Sequence, residues 1–393
     1  MVKLRITAFL FAVLTILFVS SVGQYAYASP EVSASSAALM VADTGELLYG
    51  KNEHEQRSMA STTKIMTSLI ALEALTPQRE ITVEADMLNV EGTSMGLLAG
   101  DTVTLEGLVY GMLLQSGNDA ANVTAITLGG SVENFVSMMN ERAQKICMSD
   151  THFATPSGLD SNEHYSTAYD MALLGCEAMK NPEFAAICSQ KSAVVCYGNP
   201  PYRRTLTNHN RLLRIYDDAV GIKTGFTKKS GRCLVSAAQR NGITLVAVTL
   251  NAPDDWNDHS QMLEYGFSLV ERRDIDCDIS DVLLNVVGGK RESVPLRLAR
   301  QPSAVVVKGK ETNIKQEILK QEIFIKSFEY APVSDGEIVG RIDFYSGDNL
   351  IDSVDLLADG AVDVKEYQVK QEQPKSKLRR FFEKIRDKIR NWM

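Results

Sequence analysis

"CLVSAAQRNGITLVAVTL", residues 233–250, decides the fold class. Two apolar runs, 233–238 and 243–250, flank Asn241-Gly242, a dipeptide that closes tight hairpins because both positions accept positive φ. A connection this short joins only antiparallel neighbours. Working outward, residues 222–227 read as another strand, and far upstream the runs 38–42 and 47–49 around Asp43-Thr44-Gly45 read as a second hairpin. Between these strands the period becomes helical. Ile65, Met66, Leu69, Ile70, Leu72 and Leu75 cover a broad arc and predict a largely buried helix over 61–75. Similar patterns predict helices over 105–114, 132–147 and 169–179. Strands at both ends with helices between them imply an α+β fold, in which an antiparallel sheet built from N- and C-terminal pieces is packed by a helical block.

Beyond about residue 276 the chain changes to short β-like runs, 294–298, 304–307, 338–345 and 350–357. Gly288-Gly289-Lys290 and Ser346-Gly347-Asp348 punctuate them, as expected of a small all-β domain. Residues 365–376 are polar, contain Pro374 and read as a linker. The closing stretch "KLRRFFEKIRDKIRNWM" (377–393) sets Leu378, Phe381, Phe382, Ile385, Ile389 and Trp392 along one face of a helix ringed by lysine and arginine. This is the pattern of a helix that lies in a membrane surface; docking on the protein's own core or on a partner is the alternative. At the other end, Lys3 and Arg5, an apolar run over 8–19 and Ala26-Tyr27-Ala28 form a secretory signal peptide cleaved after Ala28. A retained membrane helix is the competing reading, and 6–22 is barely long enough for one. The expected organisation is a signal peptide over 1–28, a larger domain over 29–273, a small β domain over 274–368, and a linker with amphipathic helix over 369–393. The mature protein would work outside the cytoplasm, attached to the outer face of the cytoplasmic membrane.

With 45% hydrophobic and 23% charged residues the composition is that of a globular protein. A net charge of -8 argues against nucleic acid as a main partner. The six cysteines show no CxxC pair and are expected as buried apolar residues or unassigned bridges. The five histidines lack ligand spacing, which disfavours a metallohydrolase.

Three short motifs occur in order: Ser61-Thr62-Thr63-Lys64, Ser116-Gly117-Asn118 and Lys223-Thr224-Gly225. Each alone is weak, since a lone serine caps helices, Ser-Gly-Asn makes turns and Lys-Thr-Gly ends strands. Together, the first opening a buried helix and the third in a strand, they describe an active serine. Residues three apart share a helix face, so Lys64 can reach Ser61, and burial disfavours the charged amine, leaving it able to take the hydroxyl proton. Lys223 in the same pocket pushes the same way. Ser116 is the candidate proton relay to the leaving amine. Asn118 can bond both Lys64 and a substrate backbone. Lys223 and Thr224 suit a terminal carboxylate, and Gly225 allows a substrate strand to approach the sheet edge.

Through these motifs the chain resembles the serine D-alanyl-D-alanine carboxypeptidases, the low-molecular-mass penicillin-binding proteins of peptidase family S11. "LLQSGNDAAN", "THFATPSGLD", "STAYDMALL" and "GIKTGFTKKSGRCLV" extend the likeness, which covers nearly the whole chain. Ser230 departs from an expected alanine, and His209 stands where related enzymes often carry an arginine near the substrate carboxylate. The resemblance implies a β-lactamase/transpeptidase-like fold and removal of the terminal D-alanine from peptidoglycan stem pentapeptides through an acyl-enzyme on Ser61. It further implies acylation by β-lactam antibiotics, no cofactor and no metal, and an oxyanion hole made by the backbone N–H groups of Ser61 and Phe226. The rival readings are a β-lactamase and a non-catalytic peptidoglycan-binding scaffold.

Overall fold

A computed structural model describes residues 29–74, 76, 78–308, 320–347, 349–366 and 376–392. The expected signal peptide over 1–28, Leu75, and residues 367–375 of the expected linker lie outside the described residues. The described chain falls into two compact units, one comprising residues up to 273 with a return over 303–308, the other 274–302 and the residues from 320 onward.

In the first unit, β1 (Ser36–Val41) and β2 (Leu47–Lys51) form the upstream hairpin. A 3-10 turn (Ala60–Thr63) leads into α1 (Lys64–Glu73). Short strands β3 (Glu80–Thr82) and β4 (Thr102–Thr104) precede α2 (Leu105–Gln115), α3 (Asn118–Gly129), α4 (Val132–Lys145), α5 (Ala168–Lys180) and α6 (Pro182–Cys188). Strands β5 (Ser192–Gly198) and β6 (Pro201–Thr207) complete a four-stranded side sheet, β3-β4-β5-β6. Then come β7 (Ala219–Thr227), β8 (Gly231–Arg240), β9 (Ile243–Leu250), α7 (Asp255–Leu269) and β10 (Val270–Asp274). The main sheet has the order β2-β1-β9-β8-β7, all antiparallel, so its first strands pair with its last. Asn241 and Gly242, at φ 51° and 72°, form the two-residue turn between β8 and β9.

Both faces of this sheet are covered. Ala38, Met40, Val235, Ala237, Val246 and Val248 belong to one core with residues of α1, α2, α3 and α5. The alternate residues Ala37, Leu39, Leu245 and Ala247 join Met262 and Leu263 of α7 in another. Double coverage is why β9 reads as an unbroken apolar run although its partners are antiparallel.

The predicted helix over 61–75 differs at its start. Thr62 Oγ1 donates to the Met59 carbonyl at 2.7 Å and Thr63 Oγ1 to that of Ala60 at 2.8 Å. These side-chain bonds to carbonyls three residues back accompany the tighter 3-10 geometry. Ser61 therefore sits on a 3-10 turn before the α-helix proper. Helices α3, α6 and α7 escape the periodicity reading. In α7 the buried positions include Asp255, Asp258 and His259, so polar residues interrupt the apolar stripe. Each is satisfied: His259 bonds Ser236 Oγ at 2.6 Å and Thr249 Oγ1 at 2.9 Å, and burial pushes its imidazole down to about 3, hence neutral.

The second unit is all-β apart from its last helix. Strands β11 (Leu283–Val287) and β12 (Ser293–Leu298) belong to a six-stranded sheet with β14 (Lys320–Ile325), β15 (Glu329–Tyr330), β16 (Ile338–Ser346) and β17 (Asn349–Ala358), in the order β14-β16-β17-β12-β11-β15. The run 304–307, read in the sequence as part of this β domain, is instead β13 (Ser303–Val307), which pairs with β10 in the first unit. The final helix, α8 (Lys377–Arg390), has no buried residue and exposes Leu378, Phe381, Phe382, Ile385 and Ile389. Among the described residues, no helix is long and apolar enough to cross a membrane.

One buried carboxylate ties the segment before β1 to α7. Asp258 accepts from Ser33 N and Ser33 Oγ at 2.8 Å each and from Ala34 N at 3.0 Å. Asp258→Ala strands these donors and is expected to lower the unfolding free energy by about 2–3 kcal/mol. Urea denaturation measures it, and a loss below about 0.5 kcal/mol would contradict the proposed tie.

Candidate active site

The three motifs converge because three different elements meet at the edge strand β7. The 3-10 turn carries Ser61 against it. Gly225 suits this approach, since a Cβ there would lie 3.0 Å from Ser61 N and 3.1 Å from Met59 O, tighter than most such contacts. The close neighbour is thus the turn that carries Ser61 rather than an open sheet edge. Ala60, just before Ser61, is held at φ 48°, a conformation uncommon for a non-glycine residue.

A strap over 154–164 fixes this turn from the other side. Gly158 (φ +87°) passes so close that a Cβ would sit 2.0 Å from the Ala60 carbonyl oxygen. Ala154 N donates to His164 Nδ1 at 3.0 Å, which leaves the proton on Nε2, and Nε2 lies 2.7 Å from Thr63 Oγ1. Burial holds this imidazole down at about 4, so it stays neutral. Thr63 in turn donates to Ala60 O, completing a chain from the strap to the strained residue. Asp160 Oδ1 accepts from Ser58 Oγ at 2.9 Å and Thr227 Oγ1 at 3.1 Å, joining the segment before the turn to the end of β7.

Lys64 is fully buried, and its Nζ has three neighbours: Ser61 Oγ at 2.9 Å, Asn118 Oδ1 at 2.7 Å and the Ser157 carbonyl at 2.6 Å. Two of these are acceptors only. A neutral amine gives them its two N–H groups and turns its lone pair to the hydroxyl of Ser61. Desolvation, reinforced by the charge of Lys223, holds the Lys64 amine well below the usual lysine range.

Ser116 and Asn118 lie at the corner between two helices rather than in a simple turn. Ser116 ends α2 with φ 59°, and Asn118 opens α3. The Asn118 side chain gives its oxygen to Lys64 and donates one N–H to the Glu91 carbonyl at 2.6 Å. Its neighbour Asp119 accepts from the backbone N–H groups of Met95, Gly96 and Leu97, fixing the loop that brings Thr93 to the cleft. Lys223, 1% exposed, donates to Ser116 Oγ at 3.1 Å and to the Thr224 carbonyl at 2.7 Å. Burial pushes its amine down to about 7.

Above these buried groups opens a cleft of about 500 Å³ lined by Ser61, Thr93, Ser116, His209, Thr224, Gly225, Phe226, Arg232, Asp255 and Trp256. Phe226 is 66% exposed, on the rim. His209 lines the wall, its imidazole held below the usual range by desolvation and by Lys223. Ser230 lies outside the cleft lining, closing the turn between β7 and β8 by accepting from Thr227 N at 3.0 Å. The structure thus brings all eight candidate residues to one place. The Ser157 carbonyl, His164, Asp119 and the group Arg232, Asp255 and Trp256 were not singled out in the sequence. A backbone carbonyl has no side-chain signature, and the others lie outside the motifs. All six thiols are free, and those of Cys176, Cys188 and Cys233 are buried.

Comparison with known proteins agrees with this geometry. A family model described as D-alanyl-D-alanine carboxypeptidase, Peptidase_S11, matches residues 24–254, and one for the C-terminal domain of penicillin-binding protein 5 matches residues 280–364. The chain is 32% identical to the D-alanyl-D-alanine carboxypeptidase DacF of Bacillus subtilis over 79% of its own length and 80% of the relative's. It is 34% identical to DacC of Escherichia coli over 80% and 81%. Among solved structures, the Streptomyces K15 DD-transpeptidase superposes with a TM-score of 0.59 at 31% identity, covering 61% of this chain and 99% of that one. DacD of Francisella tularensis gives 0.59 at 27% identity, covering 86% and 95%.

The buried amine of Lys223 has a measurable consequence. Its folded-state pKa of about 7 lies below that of an exposed lysine, so between those values the unfolded chain binds more protons and stability rises with pH. From pH 7 to 9 the wild type is expected to gain about 2 kcal/mol relative to Lys223→Met. Urea unfolding of both proteins at the two pH values reads it; parallel pH dependences would contradict a depressed amine.

Proposed function

The chain belongs to the D-alanyl-D-alanine carboxypeptidase family, the low-molecular-mass penicillin-binding proteins, and from that membership we propose that it removes the terminal D-alanine from peptidoglycan stem pentapeptides by serine catalysis on Ser61. The observation that carries the reading is the 2.9 Å contact between Ser61 Oγ and a buried Lys64 amine whose other two neighbours are carbonyl oxygens.

In this mechanism Lys64 takes the Ser61 proton as Oγ attacks the carbonyl of the penultimate D-alanine. The backbone N–H groups of Ser61 and Phe226 stabilise the oxyanion. That proton passes from Lys64 through Ser116, whose hydroxyl Lys223 holds, to the amine of the departing D-alanine, leaving Lys64 neutral again. Asn118 holds Lys64 with its oxygen, and the Thr224 hydroxyl lines the cleft where substrate would lie. Water then attacks the ester with Lys64 as base, releasing the tetrapeptide and restoring Ser61. A β-lactam acylates the same oxygen, because its strained amide takes the place of the scissile bond. Family membership favours this reading over a β-lactamase or a non-catalytic scaffold, and retention of every nucleophile and base position speaks against the scaffold. Intact-mass spectrometry after a penicillin pulse is expected to show one covalent adduct on the wild type and none on Ser61→Ala. An equal adduct on both would remove Ser61 from the role.

We further propose export by the segment 1–28, a catalytic region over 29–273, a β domain over 274–368 and attachment by 369–393 to the outer face of the cytoplasmic membrane. What supports the attachment is α8, whose unpaired apolar row is flanked by basic residues. On vesicles containing anionic lipid, the protein from residue 29 is expected to float, and the same protein ending at residue 374 is not. Equal flotation of the two would assign any membrane affinity elsewhere.

A further inference from the structure

A carboxypeptidase needs a cation for the free carboxylate of its substrate, and the cleft narrows the choice. Lys64 is enclosed by Ser61, Asn118 and Ser157. Lys223 is 1% exposed, already bonded to Ser116 and Thr224, and absent from the cleft lining. His209 does line the cleft, but desolvation and the nearby Lys223 hold its imidazole below the usual range, which works against a lasting positive charge there.

Arg232 is different. It lines the same cleft as Ser61, opposite Phe226 across the β7–β8 ladder, with its side chain 42% exposed. One edge of its guanidinium is clamped: Nε and Nη2 donate to Asp255 Oδ1 at 3.0 and 2.5 Å. Its carbon lies 5.4 Å from the centre of the Trp256 ring, which orients the plane. Asp255 itself is nearly buried and receives Trp256 N at 2.9 Å, so the clamp is anchored in the first turn of α7. Among the described residues, no protein acceptor meets the Nη1 edge. A pre-oriented guanidinium with one edge open loses little side-chain entropy on binding a carboxylate, and it remains charged at every working pH.

We propose that Arg232, held by Asp255 and Trp256, is the residue that selects substrates ending in a free carboxylate, with the Thr224 hydroxyl as its neutral companion. Lys223 then serves the proton path through Ser116 rather than the carboxylate. The inference rests on the carboxypeptidase reading above, and the experiment separates the two.

Release of D-alanine is measured from an acylated tripeptide ending in D-Ala-D-Ala and of D-alaninamide from the same peptide with a C-terminal amide. Acylation of Ser61 by a small neutral aryl ester serves as the internal measure of the catalytic groups. Wild-type kcat/KM is expected to favour the acid strongly. Arg232→Gln is expected to lose about 30- to 100-fold on the acid, with the amide and the aryl ester each within about threefold of wild type, so that the preference collapses. Arg232→Lys, which keeps the charge without the planar fork, is expected to restore part of it. A wild type that releases no D-alanine defeats the carboxypeptidase reading. An active wild type whose acid preference survives in Arg232→Gln defeats only the role of Arg232. An equal loss on all three substrates makes Arg232 a structural residue; should Arg232→Gln fail to fold, Arg232→Lys decides, since unchanged preference there contradicts recognition by the fork.

Discussion

Two lysine amines buried in one wall, Lys64 and Lys223, set the constraint from which the rest of the catalytic unit follows. Neither amine can be hydrated, so the fold must either neutralise each or surround it with acceptors. It does both. Lys64 meets two carbonyl oxygens and a hydroxyl, and Lys223 meets one carbonyl and one hydroxyl. Removing an ordinary carbonyl from that shell would leave an amine with nowhere to place a proton. The backbone of the strap at Ser157 is therefore as much part of the chemistry as the side chain of Asn118.

Meeting that constraint requires elements distant in sequence to be held rigidly. The sheet pairs β1 with β9, and Asp258 fastens residues 33 and 34 to α7, so the ends of the unit close on one another. Upon this base the strap over 154–164, the helix corner at Ser116 and the edge strand β7 converge on the 3-10 turn. Several of the contacts have no slack. Gly158 against Ala60 admits no side chain, and Gly225 leaves little room beside Ser61. Ala60 and Ser116, both at positive φ, are held in conformations that an isolated chain would leave. Local strain of this kind persists only where surrounding contacts over-determine it, and the His164–Thr63–Ala60 chain is one such contact set.

Much of this was legible in the residues. The Asn241-Gly242 turn fixed antiparallel pairing, and alternating and helical periods located the central strands and α1, α2, α4 and α5. The three motifs located Ser61, Lys64, Ser116, Asn118 and Lys223, which the fold brings together. What stayed hidden shares a physical cause: function carried by groups that leave no periodic or motif signature. Helices α3 and α7 bury Asn118, Asp119, Asp255, Asp258 and His259, so their inner faces look polar until the partners are known. The Ser157 carbonyl belongs to the backbone. His164 looks like one more scattered histidine until its two nitrogens are seen bridging Ala154 and Thr63. The exchange of β13 between units depends on a pairing with β10 that no local pattern could choose.

The two lysines are not equivalent, and their difference gives the proton its direction. Lys64 feels both burial and the charge of its neighbour, whereas Lys223 is displaced by burial, to about 7. Burial and a neighbouring charge both lower Lys64, an asymmetry that suits it to the base role proposed for it beside Ser61. Lys223, poised near neutrality and bonded to Ser116 Oγ, is able to hold a proton and give it up. Once Lys64 has accepted the serine proton, two cations would share one dry wall, which favours passing a proton outward through Ser116 to the departing amine. In the proposed mechanism, repulsion between the buried amines would favour the relay that follows attack. Arg232 lines the cleft outside this exchange, and its proposed role toward the carboxylate would leave Lys223 free for it.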